Sequence, residues 1–136
     1  MLRLFVCGFP LIHAFPPTVA PPIDTLGCSS TLNVTGAGLT GSQPGAVGVY
    51  YATSVTLGGR PIYQSLSTRS RVISYIYFSP TMNEWKMGSS YDEGAAVVSS
   101  SSQLECPEDV PEWSVRQPSG DWSVDLPVFV ACMGGQ

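Results

Sequence analysis

The segment "ECPEDVPEW", residues 105 to 113, gathers Glu105, Glu108, Asp109 and Glu112. Clustered carboxylates are what glycoside hydrolysis and calcium binding both require. Pro107 and Pro111 punctuate the run, however, and its acids lack the alternating ligand spacing of a calcium loop. Solvated loop acids are the expectation here. The sole histidine, His13, lies in an apolar N-terminal run, so an imidazole base or metal ligand would vanish with that run if it is a cleaved leader. Ser99 to Ser102 supply hydroxyls with no base in recognisable company, and "LGGRP" and "TGAGLTGS" precede predicted strands rather than the helices a phosphate loop needs. No catalytic residue, metal ligand or cofactor is therefore assigned, and the chain is expected not to be an enzyme.

Binding uses what is present more fully. Trp85, Trp113 and Trp122, with Tyr50, Tyr51, Tyr63, Tyr75, Tyr77 and Tyr91, offer material for a sugar platform or a protein-binding patch. Strand spacing assigns most of them to a core. Trp113, which follows the acidic loop, is the aromatic singled out for a binding surface, with Arg60 and Arg116 as side chains able to stack on or pair with a ligand. The expected partner is a protein or a carbohydrate. Nucleic acid is excluded as a partner by charge: the formal net charge is −4, and the few basic residues form no stripe. No acid lies between Asp24 and Glu84, whereas the acids crowd between Glu84 and Asp125.

Compartment is written in the cysteines, in one glycosylation pattern and in the N-terminus. Cys7, Cys28, Cys106 and Cys132 contain no Cys-x-x-Cys pair, which argues against structural zinc. The expected bridge is Cys106 with Cys132, on the view that "CPED" opens the final pair of strands and Cys132 ends it; Cys28 with Cys132 is the alternative, and four reduced cysteines the bland reading. "NVT" makes Asn33 a glycosylation acceptor if the chain is secreted. "MLRLFVCGFPLIHAF" has Arg3 ahead of an apolar run too short to span a bilayer, the pattern of a secretory leader. Residues 1–20 are expected to be that leader, 21–27 a proline-rich linker and 28–136 the domain. Membrane contact is expected only through the N-terminal segment, if it is retained. Alternatively, the segment is a strand of the working protein, or "HAFPP" marks a plastid presequence, which it resembles.

Stepping from these residues to the elements that hold them, the chain reads as all-β. "STLNVT" places Leu32 and Val34 on one face, and "DWSVDL" places Trp122, Val124 and Leu126 on one face. In "VISYIYF" both faces are apolar, which predicts a strand covered on two sides. Gly58 and Gly59 predict a tight hairpin, and Trp85 and Met87 close over the core. "VFVACM" reads as a more continuously apolar last strand. A single antiparallel β-sandwich or barrel of seven to nine short strands is predicted for this 136-residue chain.

The order "GVYY", "GGRPIYQ", "YIYFSP", Trp85, "CPED", "WSVD" and "VFVAC" resembles a small β-domain that recurs in extracellular multidomain proteins of marine invertebrates and protists. The resemblance spans about residues 28 to 132 and implies a non-catalytic secreted or cell-surface module. It carries no ligand-binding residue with it. The expected function is therefore recognition or extracellular assembly. The alternative is a lumenal accessory subunit of a plastid membrane complex, and a carboxylate-dependent hydrolase is the third reading.

Overall fold

The computed structural model describes residues 27–65 and 73–133. The expected leader, and all of the proline-rich linker but Gly27, lie outside the described residues. Among the described residues there are nine strands: β1 (Thr31–Thr35), β2 (Gly48–Leu57), β3 (Arg60–Ser65), β4 (Tyr75–Ser79), β5 (Glu84–Gly88), β6 (Ala96–Ser99), β7 (Ser114–Arg116), β8 (Trp122–Ser123) and β9 (Phe129–Cys132). They form one antiparallel sheet in the order β8-β7-β6-β5-β4-β3-β2-β1-β9. The chain meanders from β1 to β8 and then returns, so that its last strand lies beside its first. This is the all-β fold that strand periodicity predicted.

Residue types account for the local structure. Gly58 and Gly59 take φ of 63° and 80°, and this pair of positive angles makes the tight β2–β3 turn. Asn83 supplies the left-handed position in the β4–β5 turn at φ 57°. Alternation then sends one set of side chains inward. Ala52, Tyr63, Ile76, Met87, Val98 and Val115 lie opposite one another in successive strands and are all buried. Leu32, Val34, Tyr50, Phe78, Trp85 and Trp113 complete the core.

The sheet curls around that core, and short non-strand segments fill its two ends. A one-turn helix, α1 (Ala37–Thr40), buries Leu39 at one end. Gly38 N–H donates to the Pro127 carbonyl at 2.9 Å, and Gln43 Nε2 donates to the Arg116 carbonyl at 3.0 Å, so this end links both sheet edges. At the opposite end Cys28 and Cys106 are bridged, with their Cα atoms 5.3 Å apart. The expected pairing of Cys106 with Cys132 is thus incorrect. It assumed that the last strands form a hairpin, but β9 leaves β8 and crosses to β1, while Cys28, just before β1, meets the loop after β6.

A second correction concerns "DWSVDL". Ser123 lies opposite the buried Val115, so Ser123 faces inward and Trp122 outward. A one-residue change of phase exchanges the two faces. Trp122, Val124 and Leu126 are accordingly exposed. Likewise β9 pairs with β1 alone among the described strands, and its Phe129 and Ala131 are exposed, so it is not a continuously buried strand.

Candidate recognition surfaces

Four adjacent strands place an outward row of side chains in register. Thr31 of β1 lies opposite Tyr51 of β2, Tyr51 opposite Gln64 of β3, and Gln64 opposite Tyr75 of β4. The neighbouring residues Leu32, Tyr50, Tyr63 and Ile76 are fully buried, so the pleat turns this row to the outside. With strands about 4.8 Å apart, Tyr51 and Tyr75 stand about 10 Å from each other, with the Gln64 amide between them.

The row ends at a wall built by a glycine. Gly88 of β5 lies opposite Tyr75 and leaves room for the following loop: a Cβ there would sit 2.4 Å from the Ala95 carbonyl oxygen. That loop carries Tyr91, whose ring meets Tyr75 edge to face at a centroid distance of 5.3 Å. Tyr51 and Tyr91 are both 45% exposed. The result is a shallow strip of ring faces and edges with an amide and a hydroxyl among them. Such a strip can stack against an apolar ring face and hydrogen-bond to its polar edge.

One row further along, the same outer face is closed. Ile62 and Tyr77 are buried, and Tyr77 Oη donates to the Asp92 carbonyl at 3.3 Å. Lys86 Nζ donates to Glu84 Oε2 and Ser99 Oγ, each at 3.1 Å. β4 is therefore packed on both faces, as its sequence predicted.

The expected binding residues are not brought together as a surface. Arg60 caps the disulfide end: its guanidinium lies 3.6 Å from the Phe78 ring centre and donates to the Gln103 and Leu104 carbonyls at 3.3 and 2.9 Å. Trp85 Nε1 donates to the same Leu104 carbonyl at 2.8 Å. Arg116 is exposed at the helix end. Trp113 is only 2% exposed, so it is no flat platform; it lines a groove of about 490 Å³ between the Glu108–Trp113 segment and residues 124–131. Its indole N–H has no acceptor among the described residues. Asn33 points outward from β1, half-buried between Val49 and Ala131.

The acidic segment also serves the fold. Glu108 Oε2 accepts the Ser29 N–H at 2.8 Å, and Tyr63 Oη donates to the Ser29 carbonyl at 2.7 Å. Burial pushes the Tyr63 phenol far above its usual pKa, and the nearby Glu108 charge adds to the effect. Cys28, Cys106 and Glu108 place ligand-type atoms within 4.8 Å of one another, but the two sulfurs are bonded to each other and so are not thiolate ligands.

Sequence reasoning named Tyr51, Tyr75 and Tyr91 among nine aromatics but neither grouped them nor found Gln64, because these residues lie on three strands and a loop. The available signal was the "YY" of β2, where one of two neighbours must face outward.

No family model, characterised protein or solved structure matches this chain.

Proposed function

We propose that the chain is a non-catalytic, secreted or cell-surface β-module that recognises carbohydrate through the outward row of Tyr51, Gln64, Tyr75 and Tyr91. One observation carries this reading: the in-register placement of Tyr51 and Tyr75 on a rigid sheet, with an amide between them. The spacing of about 10 Å favours an extended glycan that contacts both rings over a single sugar. The buried Cys28–Cys106 bridge supports an oxidising compartment, and the ordered resemblance to an extracellular β-domain points the same way. The titratable groups at the disulfide end support a non-catalytic role, since Arg60 and Glu108 are engaged in packing and backbone contacts.

The test is a glycan array and affinity gel with the full chain, followed by Tyr51→Ala and Tyr75→Ala. Each substitution should weaken retention by about tenfold or more, as expected for truncated aromatic contacts, with the circular dichroism unchanged. Absence of retention on every glycan offered, or retention that survives both substitutions, would sink the reading. Mass before and after deglycosylation of the secreted protein reads in the same sample whether Asn33 carries a glycan. Cleavage before Phe15 with no glycan would instead indicate the plastid lumen.

A further inference from the structure

The chain's single Asn-x-Ser/Thr pattern, Asn33-Val34-Thr35, lies within β1 and beside the tyrosine row. Alternation sends Val34 into the core and turns Asn33 and Thr35 to the same outer face as Thr31. Thr31 lies opposite Tyr51 and Asn33 opposite Val49, so Asn33 and Tyr51 are diagonal neighbours across the β1–β2 ladder. Such neighbours stand about 7–8 Å apart, within reach of a large substituent. On the other side of β1, Asn33 lies opposite Ala131 and Thr35 opposite Phe129.

This face is made of carbon rather than charge. Thr31, Thr35, Val49, Tyr51, Phe129 and Ala131 surround Asn33, and none of them is ionisable at neutral pH. Tyr51 is 45% and Phe129 57% exposed, so two rings flank the amide in the open. With charged residues at only 12% of the chain, the protein has few side chains with which to solvate such a patch. An oligosaccharide suits it, because each sugar ring has an apolar C–H face to lay on an aromatic ring and hydroxyls to present to water.

We propose that Asn33 carries an N-linked glycan whose first sugars lie on the Tyr51 ring, so that the chain's own glycan occupies this end of the row and leaves the Tyr75–Tyr91 end open. In the attachment step the Asn33 amide nitrogen attacks the anomeric carbon of a lipid-diphosphate-linked oligosaccharide. The new C–N bond forms as the C–O bond to the diphosphate breaks; the lipid diphosphate leaves, and the amide proton passes to a base of the transferring enzyme. Because β9 comes last in the chain, the enzyme reaches Asn33 before Ala131 closes beside it. An external glycan that must contact both Tyr51 and Tyr75 then competes with the attached one. That competition rests on the recognition role proposed above, whereas the attachment and the ring contact do not.

Peptide mapping and NMR of the glycoprotein, with the full chain recovered from secreting cells, test the two parts. The peptide spanning Asn33 should carry the mass of an N-acetylhexosamine-based glycan, and Thr35→Ala should abolish it. The N-acetyl methyl protons of the first sugars should resonate upfield of their positions in the free glycan, shielded by the Tyr51 ring, and Tyr51→Ala should return them. An unmodified Asn33, or methyl resonances that Tyr51→Ala leaves in place, would overturn the proposal. On the affinity gel, Asn33→Gln and Thr35→Ala should each be retained about tenfold more strongly than the glycosylated chain, the gain expected when one aromatic contact is freed. Equal retention of the glycosylated and unglycosylated chains would overturn the competition. Failure of every form to be retained, with the upfield shift intact, would sink the recognition reading alone and leave the attached glycan as the occupant of the row.

Discussion

Two buried phenols set how the protein meets alkali. Tyr50 Oη donates to the Ala46 carbonyl at 2.7 Å, and burial pushes its pKa up to about 12, with a contact to Ser74 acting in the opposite direction. Tyr63 is raised further, by burial first and by the Glu108 charge second. In the unfolded chain both ionise near their ordinary value of 10.0. A folded pKa above the unfolded one means that the contribution is complete below pH 10 and is lost as pH rises through the interval to about 12. Each group then removes up to about 1.4 kcal/mol per pH unit over that interval. Urea midpoints taken from pH 8 to 11.5 should fall steeply above 10, and Tyr50→Phe with Tyr63→Phe should flatten the fall. An unchanged slope in the double variant would show that the ionisation responsible lies elsewhere. Burial of both rings was legible from their strand periodicity. Their hydroxyl acceptors, Ala46 and Ser29, were not, because each lies on a segment with no periodicity of its own.

Among the elements, β5 depends most on a single missing side chain. A Cβ on Gly88 would sit 2.4 Å from the Ala95 oxygen and 2.9 Å from its carbonyl carbon, both backbone atoms that cannot swing aside. Gly88→Ala should therefore cost about 1–3 kcal/mol and displace the loop that holds Tyr91 against Tyr75. Gly94→Ala is the control, because nothing lies within 4 Å of its added carbon. Equal thermal midpoints for the two variants would contradict this account. Element scale is also where sequence reading divided. β1 was legible because its alternation alone fixes which face is buried, and β4 because both of its faces are apolar. "DWSVDL" was read in the wrong phase: its own hydrophobic pattern is sound, but pairing with β7 sets Ser123 opposite Val115 and so decides the face.

Taken whole, the molecule is held at one end by a covalent tie across 78 residues of sequence. In the chain-entropy model, opening a loop of that size costs about 4 kcal/mol. Cys28→Ser should lower the unfolding free energy by about that amount in urea titrations, and little change would show that strand pairing alone holds β1 beside the acidic loop. This tie was hidden from sequence because cysteine spacing does not reveal which strand follows which around the sheet. Only the return of β9 to β1 separates the observed pairing from the one expected.

That return also has a consequence for the protein as it is being made. β2 through β8 can each pair with the strand just before them as they leave the ribosome, but β1 gains its second neighbour only when residues 129–132 emerge. Until then β1, the first of the described strands, lacks its β9 neighbour, and the Cys28–Cys106 bridge cannot close before Cys106 has been synthesised. Synthesis from the N-terminus therefore leaves one edge of β1 uncovered by β9 until residues 129–132 have been made, although its other edge is already paired with β2.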